Sequence, residues 1–228
     1  MKSRFPPERI KGETLGFAVQ SGSVAIFEAE SYAGRDQNRV IAKSKGQVHA
    51  RRMTSSVGAI NVSLSTQMPD PRTSRPTLGF DESKVRLFRI VGAIFSDMPP
   101  PVGSGEAVQV DAVPELEQVA AAYRVKEDSA VPLALPGQII LGGDELSAAD
   151  LDAWEGRLIA VTLEDGSSIF KRVGSRLPGR FDHLRQFETI GGLGSSIVIA
   201  TEAIEGDGAA VPVMASARRV VGVLYDNG

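Results

Sequence analysis

The chain of 228 residues contains no cysteine, two histidines and a single tryptophan. Without cysteine there is no disulfide framework, no thiolate nucleophile and no thiolate metal ligand, and the composition suits a reducing compartment. The histidines, His49 and His183, stand far apart, and neither belongs to a His-x-x-x-His or clustered-carboxylate pattern. No metal centre, no cofactor and no Ser-His-Asp triad is therefore expected. His183, within Arg180-Phe-Asp-His-Leu-Arg185, reads as a surface or loop residue. No apolar run approaches the roughly 18 residues that a membrane-spanning helix requires. Met1 to Lys11 is polar and proline-bearing, unlike the apolar core of a secretory signal. These absences predict no membrane partner and a cytoplasmic location.

What is present suffices for a folded core: 42% of residues are hydrophobic and 23% charged, near the average for globular proteins. The net charge of −3 is unevenly spread. Up to Val85 there are 13 Lys/Arg and 8 Asp/Glu; from Arg86 onward there are 12 and 20. A basic segment ahead of an acidic one is what a nucleic-acid-facing arm shows, and equally what a solvated basic surface shows. DNA contact is accordingly an expectation for this segment or for a partner of the chain.

Residues 1–84 lack a sustained helical period or a clean alternation. Asn38 to Lys45 and Gln47 to Val57 are too weakly amphipathic, and too interrupted by Gly46 and Gly58, to form a helix-turn-helix. Three prolines between Met68 and Pro76 predict an extended linker. The segment 1–84 is thus expected to be a basic arm of low order, followed by a folded domain over 85–228. That domain reads as mainly β with small helices. Val85 to Phe95 is a strand; Pro114 to Ala122 and Ser147 to Trp154 are short helices; extended stretches begin at Tyr123 and Gly137. Arg157–Leu163 and Ser168–Val173 alternate around Glu164-Asp165-Gly166-Ser167, a hairpin signature. Strands are also expected at Phe187–Ile190, Ile197–Thr201, Val211–Met214 and Arg219–Leu224. Gly191-Gly-Leu-Gly-Ser-Ser196 lacks the lysine and the following helix of a phosphate loop and reads as a turn.

One ordered set of motifs carries chemistry. Asp128-Ser129-x-x-Pro132 is followed by Gly137, then by Gly156-Arg-Leu-Ile-Ala-Val, then by Ile169-Phe-Lys171-Arg172-Val173. In this order, with 42 residues from Ser129 to Lys171, the segment from about 85 to 226 resembles the C-terminal domain of the LexA, phage-repressor and UmuD superfamily, which is related to signal peptidases. The closing Ala217-Arg-Arg-Val-Val-Gly-Val-Leu is similar to the family's last strand. The resemblance implies a LexA-like peptidase β fold with a Ser129–Lys171 dyad, in a transcriptional regulator that forms homodimers and cuts its own chain. Serine needs an adjacent base, and lysine can be one only when neutral, which apolar surroundings favour. Ser129 Oγ would attack a peptide carbonyl of the same chain, with Lys171 taking its proton and nearby backbone N–H groups holding the oxyanion. The chain departs from the family in places. Glu127 stands for Gly, Ala130 for Met and Gln138 for Asp, and no Ala–Gly bond precedes the serine at the family's distance. Ala33–Gly34 lies far upstream, which leaves Phe95 to Asp97 as the candidate cleavage segment. The alternative is a dimerisation or sensor module that does not cleave and has no DNA-binding domain of its own.

Overall fold

The computed structural model describes residues 7–12, 14–16, 19–28, 38–54, 61–66, 77–100, 102, 105–126, 130–190, 196–203 and 211–225. They are mainly β, without an α-helix, and no helix among them is long and apolar enough to cross a membrane. The chain divides into two compact units, with boundaries at Glu117/Gln118 and Val223/Leu224.

The first unit is built from β1 (Glu8–Ile10), β2 (Val24–Phe27), β3 (Arg39–Ser44), β4 (Gln47–Thr54), β5 (Asn61–Ser65), β6 (Thr77–Asp81), β7 (Arg86–Ile94) and β8 (Ala107–Gln109). Their neighbour order is β8-β1-β2-β7-β3-β4-β5-β6, antiparallel throughout. The sheet curls so that β8 returns to β4. Glu106, just before β8, donates its N–H to the Val48 carbonyl at 2.8 Å, and its carboxylate accepts from the Ala50 N–H at 3.2 Å. Arg51, only 2% exposed, points its Nε at both Glu106 oxygens at 3.0 Å. Gly105 permits this closure: it has φ +85, and a Cβ there would stand 2.9 Å from the Val48 carbonyl oxygen.

The sequence placed the start of folded structure at residue 85; six strands precede it. The boundary was misplaced because composition does not show long-range pairing. β7 is hydrogen-bonded to β2 and β3, and β8 to β1, so residues 86–109 complete a sheet that begins at Glu8. The upstream strands escape periodicity analysis because they are short and, in β3, buried on both faces: Val40, Ile41 and Ala42 are all inaccessible. The two rejected helix candidates are β3 and β4, joined by Lys45-Gly46 as a two-residue hairpin. The proline-bearing stretch from Met68 to Pro76 and the Gly191–Ser195 run lie outside the described residues.

The second unit comprises β9 (Ala121–Arg124), β10 (Ile139–Leu146), β11 (Leu158–Leu163), β12 (Ser168–Arg176), β13 (Leu184–Glu188), β14 (Ile197–Ala200) and β15 (Met214–Leu224), which hands the chain back to the first unit at Leu224. The order is β14-β13-β12-β11-β15-β10-β9. One face packs Leu151, Ile159, Val161, Val173, Phe187, Ile199 and Ala217 into a core. The Asp-Gly hairpin forms as read: Thr162 faces Ser168, Gly166 takes φ +82, and the Asp165 carboxylate accepts the Ser167 N–H at 2.8 Å. The two expected helices are single 3-10 turns, at Pro114–Gln118 and Asp150–Asp152. Ser147 and Asp150 cap each other, Asp150 Oδ2 accepting the Ser147 N–H at 2.8 Å and Ser147 Oγ facing the Asp150 N–H at 3.3 Å. Arg219–Leu224 lies within β15, which begins at Met214; the rest of the expected strand Val211–Met214 is not one, and Val213 makes only an isolated bridge to Ala200. His183 does sit in a turn, yet it is only 6% exposed, because its carbonyl is drawn inward to accept from the N–H and Oγ1 of Thr201.

Burial alone would push the Glu106 carboxyl up, but the nearby His49 ring and the hydrogen bonds and charge of Arg51 hold it below the usual range. A depressed folded-state value means stability that is present above the unfolded value of about 4.3 and is lost as pH falls through the folded one. Glu106→Gln should therefore cost about 2–3 kcal/mol at neutral pH and flatten the acid limb of the urea midpoint against pH. Parallel acid limbs for variant and wild type would refute this assignment.

Candidate functional site around Lys171

β12 carries the pattern Ser-Ile-Phe-Lys-Arg-Val, whose alternate positions separate onto two faces. Ile169 and Val173 pack on the core of the second unit, and Lys171 lies between them on that same face. Its cross-strand partner on β11 is Ile159, whose own partner on β15 is Arg219. Phe170 and Arg172 occupy the opposite face. There Phe170 meets Tyr123 edge-on at 5.9 Å between ring centres, and the Arg172 guanidinium donates to the Gly156 carbonyl.

Three cations share the core face, and two of them are met by carboxylates. Arg185, on β13 in phase with Phe187, donates to the Gly174 carbonyl at 2.8 Å and to Asp152. Arg219 donates to Asp144 Oδ2 at 2.6 Å. Lys171 is half-buried, and its Nζ reaches only Thr189 Oγ1, at 3.5 Å. Among the described residues it has no carboxylate partner. Its neighbours on that face are the apolar Ile159, Ile169 and Val173.

Ser129, with Glu127 and Asp128, lies outside the described residues. The chain on either side of it is described. Val125 is buried and faces both Gly137 and Gln138: its carbonyl accepts the Gly137 N–H and its N–H donates to the Gln138 carbonyl, both at 2.8 Å. Two residues opposing one, the first a glycine at φ +91, form a bulge that closes the segment 125–138 into a loop. Inside that loop Ala130, Leu133 and Ala134 are buried, and the N–H groups of Leu133 and Ala134 donate to the Ala130 carbonyl at 2.8 and 3.1 Å. The Val131–Pro132 bond is cis. Gln138, the residue that departs from the family's aspartate, accepts the Leu135 N–H on Oε1 at 2.9 Å.

Sequence reasoning did not single out Thr189, which lies within the Phe187–Ile190 stretch read only as a strand. It also passed over the cap made by Gln138, for which no local pattern serves as a signal. Gly137, noted only as a family position, has a local reason as well: the bulge needs a residue tolerant of positive φ. Comparison with family models, with curated proteins and with solved structures finds no match for this chain.

A Cβ at Gly137 would meet nothing within 4 Å, so a substitution there is opposed by backbone conformation alone. Gly137→Asn should be the mildest change, Gly137→Ala should cost about 1–2 kcal/mol, and Gly137→Val should cost more. Urea unfolding of the three variants checks the order, and equal midpoints would remove the bulge from the account.

Proposed function

We propose that the chain is a repressor-like or LexA-like regulator whose second unit carries a Ser129–Lys171 dyad for cleavage of its own chain. The carrying observation is that, among the described residues, Lys171 stands on the core face of β12 without a carboxylate, while Arg185 and Arg219 on that face are both paired. The ordered motifs around Ser129, Gly137 and Gly156 support the same reading. In it, Lys171 accepts the Ser129 hydroxyl proton as Oγ adds to the peptide carbonyl, then returns the proton to the leaving amine; water completes release of the acyl fragment. The candidate bond lies within Phe95 to Asp97. Homodimerisation and DNA contact through the basic N-terminal segment or through a partner complete the proposal.

The departures at Glu127, Ala130 and Gln138 favour a second reading, a dimerisation or sensor module that no longer cleaves. Incubation of the purified chain at alkaline pH, where amines lose their protons, separates the two. Mass spectrometry should find fragments meeting within residues 95–97 in the wild type and none in Ser129→Ala or Lys171→Ala. A wild-type chain that stays as intact as Ser129→Ala would sink the peptidase reading and leave the second one.

A further inference from the structure

A concave site of about 470 Å³ lies in the first unit between the tip of the β3–β4 hairpin and the turn leading into β7. Its wall includes four cations, Lys43, Lys45, Lys84 and Arg86, together with the amides of Gln47 and Gln109. The two rims are tied together, since Ser44 Oγ donates to the Lys84 carbonyl at 2.9 Å.

Two features of this wall work against stability. Lys43 and Arg86 are direct cross-strand partners on β3 and β7, and like charges so placed repel. The Phe88 ring offsets part of that repulsion, with the Lys43 ammonium at 5.7 Å and the Arg86 guanidinium at 5.3 Å from its centre. At the hairpin tip, Lys45 has φ +49 ahead of Gly46 at φ +77, a pair of conformations that a two-residue hairpin normally fills with Asn-Gly or Gly-Gly. Carboxylates offset only part of this charge. Lys43 is bonded to Glu8 at 2.5 Å and Lys84 to Asp81 at 3.0 Å. Lys45 and Arg86 have no carboxylate partner among the described residues.

We propose that this concavity binds a phosphate-bearing anion, with Lys45 and Arg86 as its principal charge contacts. Cations converging from two segments of the chain, with amides between them, match the several oxygens and multiple charge of a phosphate better than a single carboxylate. A volume of this size accommodates a small phosphorylated molecule, and its open mouth also admits the backbone of a nucleic acid. The chemistry is the same for both sources.

Binding to the full chain distinguishes them, with sodium tripolyphosphate followed by calorimetry and a short duplex DNA by fluorescence anisotropy, both at about 50 mM salt. Lys45→Asn and Arg86→Gln should each weaken binding roughly tenfold, whereas Arg180→Gln in the second unit should leave it unchanged. Lys45→Asn should at the same time raise the melting temperature, because asparagine tolerates the left-handed backbone; its loss of affinity then cannot be ascribed to misfolding. Tripolyphosphate binding lost in both variants supports a small phosphorylated ligand. Duplex binding lost in both supports a nucleic-acid backbone, and a salt slope should accompany it. Failure of both probes to bind the wild type, or affinities indifferent to both substitutions, would overturn the proposal. Ser129→Ala should bind as the wild type does, so the outcome stands apart from the peptidase reading.

Discussion

Burying Arg51 obliges the first unit to supply a counter-charge, and the position of that charge shapes everything around it. A guanidinium at 2% exposure without a partner would be strongly destabilising. Glu106 meets it from the far end of the sheet. To do so, the chain before β8 must approach β4 closely enough for its backbone to bond to Val48. Gly105 makes the approach sterically feasible, and the His49 Nδ1 stands 3.9 Å from the carboxylate. One ion pair thus brings together two strands that are far apart in the order of the sheet, and curls the sheet over the apolar side chains of β1, β2, β3 and β7. The β3–β4 hairpin, fixed by the same seam, carries Lys45 at its tip.

Where structure is local, the sequence declared it. Asp165-Gly166 between alternating runs is a hairpin, Val85 to Phe95 contains β7, and the reciprocal cap of Ser147 and Asp150 was readable as four letters. Where it depends on partners, it was hidden. No pattern near Gly105 or Glu106 announces Val48 and Arg51, which lie more than fifty positions upstream. β3 shows no alternation because both of its faces are covered, so the apolar run Val40-Ile-Ala42 resembles nothing in particular. The same division applies to the candidate site. Lys171 on an alternating strand was legible from Ile169 and Val173, whereas Thr189 is brought beside it only by the register of β12 with β13.

A buried arginine and a half-buried lysine on one face give a comparison internal to the second unit. Arg185 and Lys171 project from adjacent strands toward the same apolar cluster. Arginine stays charged in any protein environment, so its burial requires partners, and it has them in Asp152 and the Gly174 carbonyl. Among the described residues the face offers Lys171 a threonine hydroxyl and no carboxylate. A purely structural lysine at this position would gain from an aspartate or glutamate on β13, where Thr189 follows Glu188 in the chain.

The first unit displays a related economy in reverse. Lys45 and Arg86 have no carboxylate partner among the described residues, and Lys45 holds a backbone conformation that costs about 1–2 kcal/mol for a residue with a Cβ. Asparagine at the same position would relieve the strain and lower the local positive charge together. Retaining lysine makes physical sense if something of opposite charge is bound there part of the time, because the attraction realised in the complex offsets a penalty carried in its absence. By the same logic, each unit departs from its most stable arrangement at one cation. Among the described residues no carboxylate meets Lys171 in the second unit, and none meets Lys45 in the first.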